Sequence, residues 1–305
     1  MTASDASIDV RLTKETFNVA GLLVHVWTNG GLAALSTKEV AALILLHGWK
    51  DSADDPALER TARAAFEWAL ARQQPVPLST AQRDFLVVTS DLRDHGRRTV
   101  DPRTNRRWGK DPERHNPTHA IDLFGVQVGS ARDVSFIIDF LPLYLFPHGE
   151  RTIVEWAVAG SSLGAQAVWS VLKEEPRVRT GIAVMGSPDC VAVMRAMGAA
   201  AGVPIAPPYV PDELLALMRD LNPTSAVDNP FFGKRVLVVN AEQDGYMAWE
   251  SYAAFVERLE VGPEGRKEVL RLPGGHCYTD EMMWVVVRFF WEECVVGKRA
   301  RKAKL

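Results

Sequence analysis

The sequence predicts an α/β protein with a mostly parallel central sheet that is flanked by helices. Short runs of β-branched and aliphatic residues without polar alternation are typical of strands buried on both faces. Helical segments lie between these runs, and this alternation is the pattern of a parallel sheet. The predicted strands are 41–46, 85–89, 153–159, 181–185, 236–240 and 269–272, and the predicted helices are 56–72, 136–141, 163–172, 249–259 and 281–295. The second helix is expected to end near Pro142, because proline lacks the N–H that a helix interior needs.

The beginning of the chain departs from the alternation. Residues 10–19 and 22–28 are two extended stretches that are joined near Ala20-Gly21. A short turn between extended stretches favours antiparallel pairing. We therefore expect an antiparallel edge that precedes the parallel sheet.

A second departure lies between two predicted strands, at residues 189–230. Two predicted helices, 191–199 and 212–221, flank a proline-rich run there, and a connection of this length is uncommon between a strand and the next. We interpret the segment as a small helical cap inserted into one domain that spans residues 1–297. The cap methionines Met194, Met197 and Met218 either line an adaptable acyl pocket or pack the cap onto the sheet.

Composition bounds the class of protein. The 305-residue chain has 47% hydrophobic residues, 24% charged residues and a formal net charge of -3. These values exclude a disordered chain, a collagen-like repeat and a disulfide-stapled miniprotein, and they argue against a nucleic-acid binder. The three cysteines, Cys190, Cys277 and Cys294, lack CxxC spacing, which indicates a reducing compartment. The first ten residues are polar and acidic, so we expect no signal peptide. No apolar run approaches the roughly 18 residues that span a membrane.

The carboxyl terminus is a basic tail, residues 298–305. Its last three residues, Ala303-Lys304-Leu305, resemble the Ser-Lys-Leu peroxisomal address. We expect an import receptor to bind them and the protein to lie in the peroxisomal matrix, or otherwise in the cytoplasm. The alternative interpretation is a solvated tail without an address function.

The strongest local signal is Gly160-Ser161-Ser162-Leu163-Gly164, which follows a predicted strand and opens a predicted helix. A sharp strand-to-helix turn exposes its middle residue, and glycines two positions away make room for that turn. Ser162 is therefore the candidate nucleophile, while Ser161 is interpreted as structural. The alternative is a simple turn in which the serines cap the helix.

A serine nucleophile needs a base, and the base needs an acid that orients it. His276 is the candidate base, in a glycine-containing loop after the last predicted strand. Asp244 follows the strand 236–240 by four residues, and Glu242 is a rival acid nearer to the strand end. We favour Asp244 because the longer loop gives it reach, although either acid is also a common turn residue.

Two backbone N–H groups are candidates for an oxyanion hole. The predicted strand 41–46 ends in His47-Gly48-Trp49, and the N–H of Trp49 follows the flexible glycine. The N–H of Leu163 opens the helix after Ser162, where the helix dipole favours negative charge. His47 itself is interpreted as a structural residue.

Together these motifs make the chain resemble the α/β-hydrolase superfamily over residues 40–297. The resemblance consists of the HGW turn, the GSSLG elbow and the chain order of Ser162, Asp244 and His276. The layout is similar to esterases and to prolyl-oligopeptidase-like and dienelactone-hydrolase-like enzymes, but the HGGG run of hormone-sensitive-lipase esterases is missing. The resemblance implies an α/β-hydrolase fold and an acyl-enzyme mechanism without a cofactor. It also implies that the loop residues Asp91, Arg93 and His95 brace the floor of the site.

Two other clusters compete for a function. The loop 93–114 is rich in arginine and suits a phosphate or a carboxylate, as in a coenzyme A thioester. Interleaved acids favour charge pairing across a solvated loop instead. His115 and His119 have four-residue spacing, but Pro117 lies between them and no third ligand is evident, so we predict no metal site.

The sequence thus predicts a serine hydrolase that cleaves an ester or thioester of a small to medium acyl group. Its expected partner is a small-molecule acyl substrate, with neither a nucleic acid nor a membrane span. Two alternatives stay open. One is a peptidase or acyltransferase with the same three residues, and the other is a non-catalytic ligand-binding protein on the same scaffold.

Overall fold

A computed structural model describes residues 10–72 and 82–296, in which eight strands form one sheet. The strands are β1 Leu12–Val19, β2 Leu22–Asn29, β3 Glu39–Leu46, β4 Asp84–Ser90, β5 Thr152–Ser161, β6 Val178–Val184, β7 Arg235–Ala241 and β8 Arg266–Leu272. Their order across the sheet is β1-β2-β4-β3-β5-β6-β7-β8. The strands from β4 to β8 pair in parallel, so the predicted parallel sheet is confirmed.

The antiparallel edge is also confirmed. Strand β1 pairs antiparallel with β2, and β2 pairs antiparallel with β4. Ala20 and Gly21 form the turn with φ of 47° and 92°. Two consecutive positive φ values match the tight hairpin turns that follow the natural twist of paired strands.

Helices cover both faces of the sheet. They are α1 Pro56–Leu70, α2 His119–Leu145, α3 Leu163–Glu174, α4 Cys190–Ala201, α5 Asp212–Leu221, α6 Ala253–Arg258 and α7 Asp280–Phe290, which continues into a π-helical turn, Trp291–Val295. Alternate residues of the central strand β3 enter opposite cores, Ile44 with α2 and α3, and Leu43 with α1 and α7. Burial on both faces explains why the central strands read as continuous apolar runs.

The expected end of a helix near Pro142 is wrong. Helix α2 begins at His119 and continues through Pro142 to Leu145. Proline removes one hydrogen bond there, but the N–H of Phe146 still donates to the carbonyl of Pro142 at 2.9 Å. Leu141 and Leu145 are 0% and 5% exposed. Their packing against the core holds the last turn in helical form, because burial outweighs one lost hydrogen bond.

The segment interpreted as a cap contains α4 and α5. The side chain of Asp189 caps α4 by accepting the N–H groups of Val191 and Ala192, and Gly202 ends the helix with a φ of 69°. The basic tail 298–305, with Ala303-Lys304-Leu305, lies outside the described residues, so the peroxisomal address stays a prediction. None of the helices in residues 10–72 and 82–296 is long and apolar enough to cross a membrane.

Candidate active site

The turn between β5 and α3 holds Ser162 in a backbone conformation that residues other than glycine rarely adopt, with φ 54° and ψ -115°. Glycine is required at positions 160 and 164 because neighbouring backbone atoms leave no room for a Cβ there. A Cβ on Gly160 would lie 2.5 Å from the carbonyl carbon of Gly164, and a Cβ on Gly164 would lie 2.3 Å from the carbonyl oxygen of Leu46. Strain that packing enforces at one residue is a frequent feature of functional sites. The turn has the form expected of a nucleophile elbow.

Replacement of Gly164 by alanine is expected to destabilise the protein by about 2 to 3 kcal/mol, because the added methyl group meets backbone atoms that cannot rotate away. Urea unfolding followed by circular dichroism measures this change. Gly125→Ala is the matched control, since Gly125 lies in the exposed middle of α2 with no atom within 4 Å of an added Cβ. That control is expected to gain about 0.5 to 1 kcal/mol. Equal stability of the two variants would contradict the close packing of the elbow.

Ser162, His276 and Asp244 lie in one chain of hydrogen bonds. His276 Nε2 is 2.9 Å from Ser162 Oγ, and His276 Nδ1 is 2.8 Å from Asp244 Oδ2. A carboxylate only accepts hydrogen bonds, so Nδ1 carries the proton, and Nε2 of the neutral ring accepts from the serine hydroxyl. This arrangement gives Ser162 a base within reach of its proton.

The carboxylate of Asp244 is fixed and ionised. Its side chain is 0% exposed, and Oδ1 accepts the N–H groups of Tyr246 and Met247 at 2.9 Å each. Burial raises the pKa of this carboxyl, but the hydrogen bonds from His276 and the two backbone N–H groups outweigh burial and lower it. Glu242, the rival acid, is exposed, and the structure places Asp244 at His276.

The turn after β3 lies directly beside the elbow. A Cβ on Gly48 would be 3.8 Å from Ser162 Cβ, so the backbone N–H of Trp49, the next residue, belongs to the same small region. The N–H of Leu163 is the first of α3, where no helical carbonyl precedes it. The assignment of these two N–H groups to an oxyanion hole stays a prediction.

His47 has the features of a structural residue. It is 1% exposed, and its Nε2 accepts the N–H of Leu92 at 3.0 Å. Burial lowers the pKa of His47 to about 4, so the ring is neutral and able to accept this bond. The nearby carboxylate of Asp91 accepts the N–H groups of Ala53 and Arg97 at 2.7 and 2.9 Å. These bonds tie the loops after β3 and β4 together.

Two cavities meet at the candidate site. The inner cavity has a volume of about 200 Å³, contains Ser162 and His276, and extends between β3, β5, α1 and α7. The second, here called the cap cavity, has a volume of about 240 Å³ and is bounded by α4. Its walls include Trp108, His119, Met197 and Tyr246, and Arg107 borders both cavities. Of the cap methionines, Met197 lines this cavity, whereas Met194 and Met218 are buried in the core.

Sequence reasoning missed Arg107 and Tyr246 as residues of the site. The ring of Tyr246 contacts that of His276 edge-on, with 5.4 Å between centroids, and the guanidinium of Arg107 lies 4.8 Å from the Tyr246 ring. Tyr246 follows Asp244 by two residues, which is a usable signal. Arg107 lies in the loop whose arginine content suits an anion, but nothing in the sequence distinguishes it from the other six arginines of that loop.

The described residues contain no group of three His, Cys, Asp or Glu side chains that suits a metal ion. His119 begins α2 and is 2% exposed, with its ring against Trp49 and Trp108. His115 instead contacts the backbone of Gly109 through Nδ1 at 3.0 Å. The two histidines therefore have different contacts, His119 with two tryptophan rings and His115 with the backbone of Gly109.

The arrangement of strands, helices and the elbow is that of α/β hydrolases, and solved structures show the same fold. TT1662 from Thermus thermophilus is 20% identical with a TM-score of 0.60, and the match covers 93% of this chain and 99% of that one. An acylaminoacyl peptidase from Pyrococcus horikoshii is 12% identical with a TM-score of 0.58, covering 96% of this chain and 43% of that one. A cold-adapted esterase from an Arctic intertidal metagenomic library is 14% identical with a TM-score of 0.57, covering 96% and 100%.

No family profile and no curated protein sequence matches the chain. At identities of 12% to 20% the similar structures show the fold alone. The protein therefore has the α/β-hydrolase fold that the sequence predicts.

Proposed function

We propose that the protein is a serine hydrolase that cleaves an ester or thioester of a small to medium acyl group. The observation that carries the proposal is the unbroken chain of hydrogen bonds from Ser162 through His276 to Asp244, at 2.9 and 2.8 Å. The strained backbone of Ser162 presents its hydroxyl to the inner cavity. The names of similar structures, an esterase and a peptidase, agree with hydrolysis of an acyl bond.

In the first half of the proposed reaction, Ser162 Oγ attacks the substrate carbonyl carbon while His276 Nε2 takes the hydroxyl proton. The carbonyl oxygen becomes negatively charged and accepts hydrogen bonds from the N–H groups of Trp49 and Leu163. The tetrahedral intermediate then collapses, and His276 gives its proton to the departing alcohol or thiol. The acyl group remains bound to Ser162 as an ester.

In the second half, water replaces the alcohol. His276 Nε2 takes a proton from the water as its oxygen attacks the acyl carbon, and the same two N–H groups bind the second oxyanion. Collapse returns the proton to Ser162 Oγ and releases the carboxylic acid. Throughout, Asp244 keeps His276 in the tautomer that carries its proton on Nδ1 and stabilises the imidazolium when it forms.

The inner cavity sets the expected acyl size. Its walls near Ser162 include the buried apolar residues Leu45, Ala159 and Val184, at the ends of three parallel strands. A volume of about 200 Å³ favours short and medium acyl chains over long ones, because a buried cavity of fixed shape accepts extra methylene groups only with strain.

A substrate panel tests this proposal. We expect kcat/KM for p-nitrophenyl esters to peak at short or medium acyl chains and to fall for dodecanoate, with acyl thioesters also cleaved. Amide substrates of matched acyl groups are expected to react more slowly, since an amine is a poorer leaving group. Faster cleavage of peptides would identify a peptidase, and acyl transfer to an added alcohol in preference to water would identify an acyltransferase. Tight binding of esters without turnover would identify a non-catalytic binding protein.

A further inference from the structure

One cation of the arginine-rich loop differs from its neighbours. The other six arginines of loop 93–114 have acceptors: Arg93 and Arg98 at Asp133, Arg97 at Asp54, Arg103 at Asp101, Arg114 at Asp111, and Arg106 at the carbonyl of Glu113. Charge pairing therefore accounts for five of them, as the sequence suggests, and a backbone carbonyl accepts from Arg106. Among residues 10–72 and 82–296, the guanidinium of Arg107 contacts the rings of Trp49 and Tyr246 instead and has no hydrogen-bond or ion-pair acceptor.

Arg107 lies across the mouth of the candidate active site. Its guanidinium carbon is 4.3 Å from the ring centroid of Trp49 and 4.8 Å from that of Tyr246. Trp49 belongs to the proposed oxyanion turn, and Tyr246 contacts the ring of His276. Aromatic rings attract the positive charge of a guanidinium without taking up its five N–H donors, so these donors are available to an anion.

The cap cavity has mostly apolar walls around Arg107. Trp108 is 5% exposed, and its Nε1 is buried without a hydrogen-bond partner among the described residues. Because Nε1 lies below the cavity surface, the guanidinium of Arg107 is the charged donor among the residues that line the cap cavity. His119 Nε2 is similarly buried without a partner. Burial and the positive charge of Arg107 lower the pKa of His119 to about 4, which leaves this ring neutral.

The surrounding charges indicate where an anion belongs. Asp51 and Asp55 line the inner cavity, and their carboxylates disfavour a negative group there. Arg107 borders an open basin of about 620 Å³ on its outer side, which Lys50, Arg106 and Arg114 also line. Glu113 lines the same basin, so four cationic side chains face one carboxylate there, whereas the inner cavity has two carboxylates beside Arg107.

We infer that Arg107 binds an anionic oxygen group of the substrate, a carboxylate or a phosphate, at the cap cavity. Arg107 is then a specificity residue for the hydrolase reaction, and the inference rests on the proposed function of Ser162. A guanidinium forms paired, charge-assisted hydrogen bonds with such groups. The substrate class is therefore an ester or thioester that carries a second, negatively charged group.

The test compares anionic substrates with neutral partners. The partners of the two carboxylates have a similar shape, and the partner of the coenzyme A thioester is its truncated thioester end. For a carboxylate in the alcohol part, 4-acetoxybenzoate is paired with 4-isopropylphenyl acetate. For a carboxylate in the acyl part, the p-nitrophenyl monoester of glutaric acid is paired with p-nitrophenyl 5-methylhexanoate. For a phosphate source, butyryl-coenzyme A is paired with S-butyryl-N-acetylcysteamine. The readout is the ratio of kcat/KM within each pair, which cancels any effect common to both substrates.

We expect at least one pair to favour the anion in the wild type and Arg107→Gln to lower that ratio about 10- to 100-fold, the range for a lost hydrogen bond to a charged group. Arg107→Lys keeps the charge but loses the paired geometry, so part of the ratio should return. Arg103→Gln, in the same loop and paired with Asp101, is the control and should leave the ratio unchanged.

The role of Arg107 and the serine hydrolase function are tested by different measurements. Fluorophosphonate labelling of Ser162 is measured on every sample, and circular dichroism checks that each variant is folded. Normal labelling together with an equal ratio in the wild type and Arg107→Gln, for all three pairs, would overturn the role of Arg107 alone. Absence of labelling and of ester turnover in the wild type would overturn the proposed function, and the role of Arg107 with it.

Discussion

Ser162→Ala is expected to lower kcat for ester hydrolysis by about 10⁵-fold, because removal of the nucleophile leaves only binding and the oxyanion N–H groups. The substitution removes one hydroxyl group, and we expect His276 and Asp244 to keep their hydrogen bond of 2.8 Å. Initial rates with a p-nitrophenyl ester measure the loss, and KM should change much less than kcat. Thermal unfolding checks that the variant is as stable as the wild type.

Ser161→Ala provides the matched control for that loss. It removes the same atom one residue earlier, at the end of β5, and we expect kcat to remain within about tenfold of wild type, as for a side chain outside the hydrogen-bonded chain. If Ser162→Ala kept its activity and Ser161→Ala lost it, the nucleophile would be Ser161 and the assignment of Ser162 would be wrong.

Asp244→Asn is expected to lower kcat by about 10³- to 10⁴-fold. The amide presents an N–H where the carboxylate accepts a hydrogen bond, so His276 turns to the tautomer with its proton on Nε2. That nitrogen then no longer accepts the proton of Ser162. The measurement is kcat near neutral pH, with fluorophosphonate labelling as a second readout that should slow in parallel.

Glu242→Gln is the companion control, because Glu242 is exposed and lies two residues from Asp244. We expect its kcat to stay within about twofold of wild type, as for most surface substitutions away from special features. Full activity in Asp244→Asn with a large loss in Glu242→Gln would reverse the assignment of the acid.

The fold was predictable where local patterns and burial agree. Central strands such as β3 are apolar on both faces, so their sequence differs clearly from that of a helix or loop. Strand β8 was less visible and begins at Arg266, three residues before the predicted start at 269. Its first residues are charged and are held by ion pairs with Glu292 and Arg288. Such pairs depend on a distant helix and leave no periodic signal.

The choice between two acids illustrates what local sequence leaves open. The N–H of Asp244 donates to the carbonyl of Ala241 at 3.2 Å, and this turn directs the Asp244 side chain towards His276. Glu242 is held differently, with its N–H bonded to the carbonyl of Leu272 and its side chain exposed. Loop length favoured Asp244. The pairing of β7 with β8 fixes the backbone of both acids, and such pairing between segments distant in sequence is not visible in the local sequence.

The role of Arg107 was even harder to predict from local sequence. Alternating charges in loop 93–114 suggest general pairing, and most of its arginines do pair. Arg107 has no acceptor in the described part of the chain and instead contacts Trp49 and Tyr246. These two residues are distant in sequence from Arg107 and follow different strands. Residues after strand ends were therefore predictable as site residues, whereas those supplied by an irregular loop were not.

The most direct test of the account is the position at which a fluorophosphonate probe reacts. The wild-type protein is incubated with the probe, digested and mapped by mass spectrometry. We predict one adduct, on the hydroxyl of Ser162, with no adduct in Ser162→Ala and slow formation in His276→Gln. A wild-type protein that hydrolyses esters but carries no adduct, or carries it on another residue, would contradict the account.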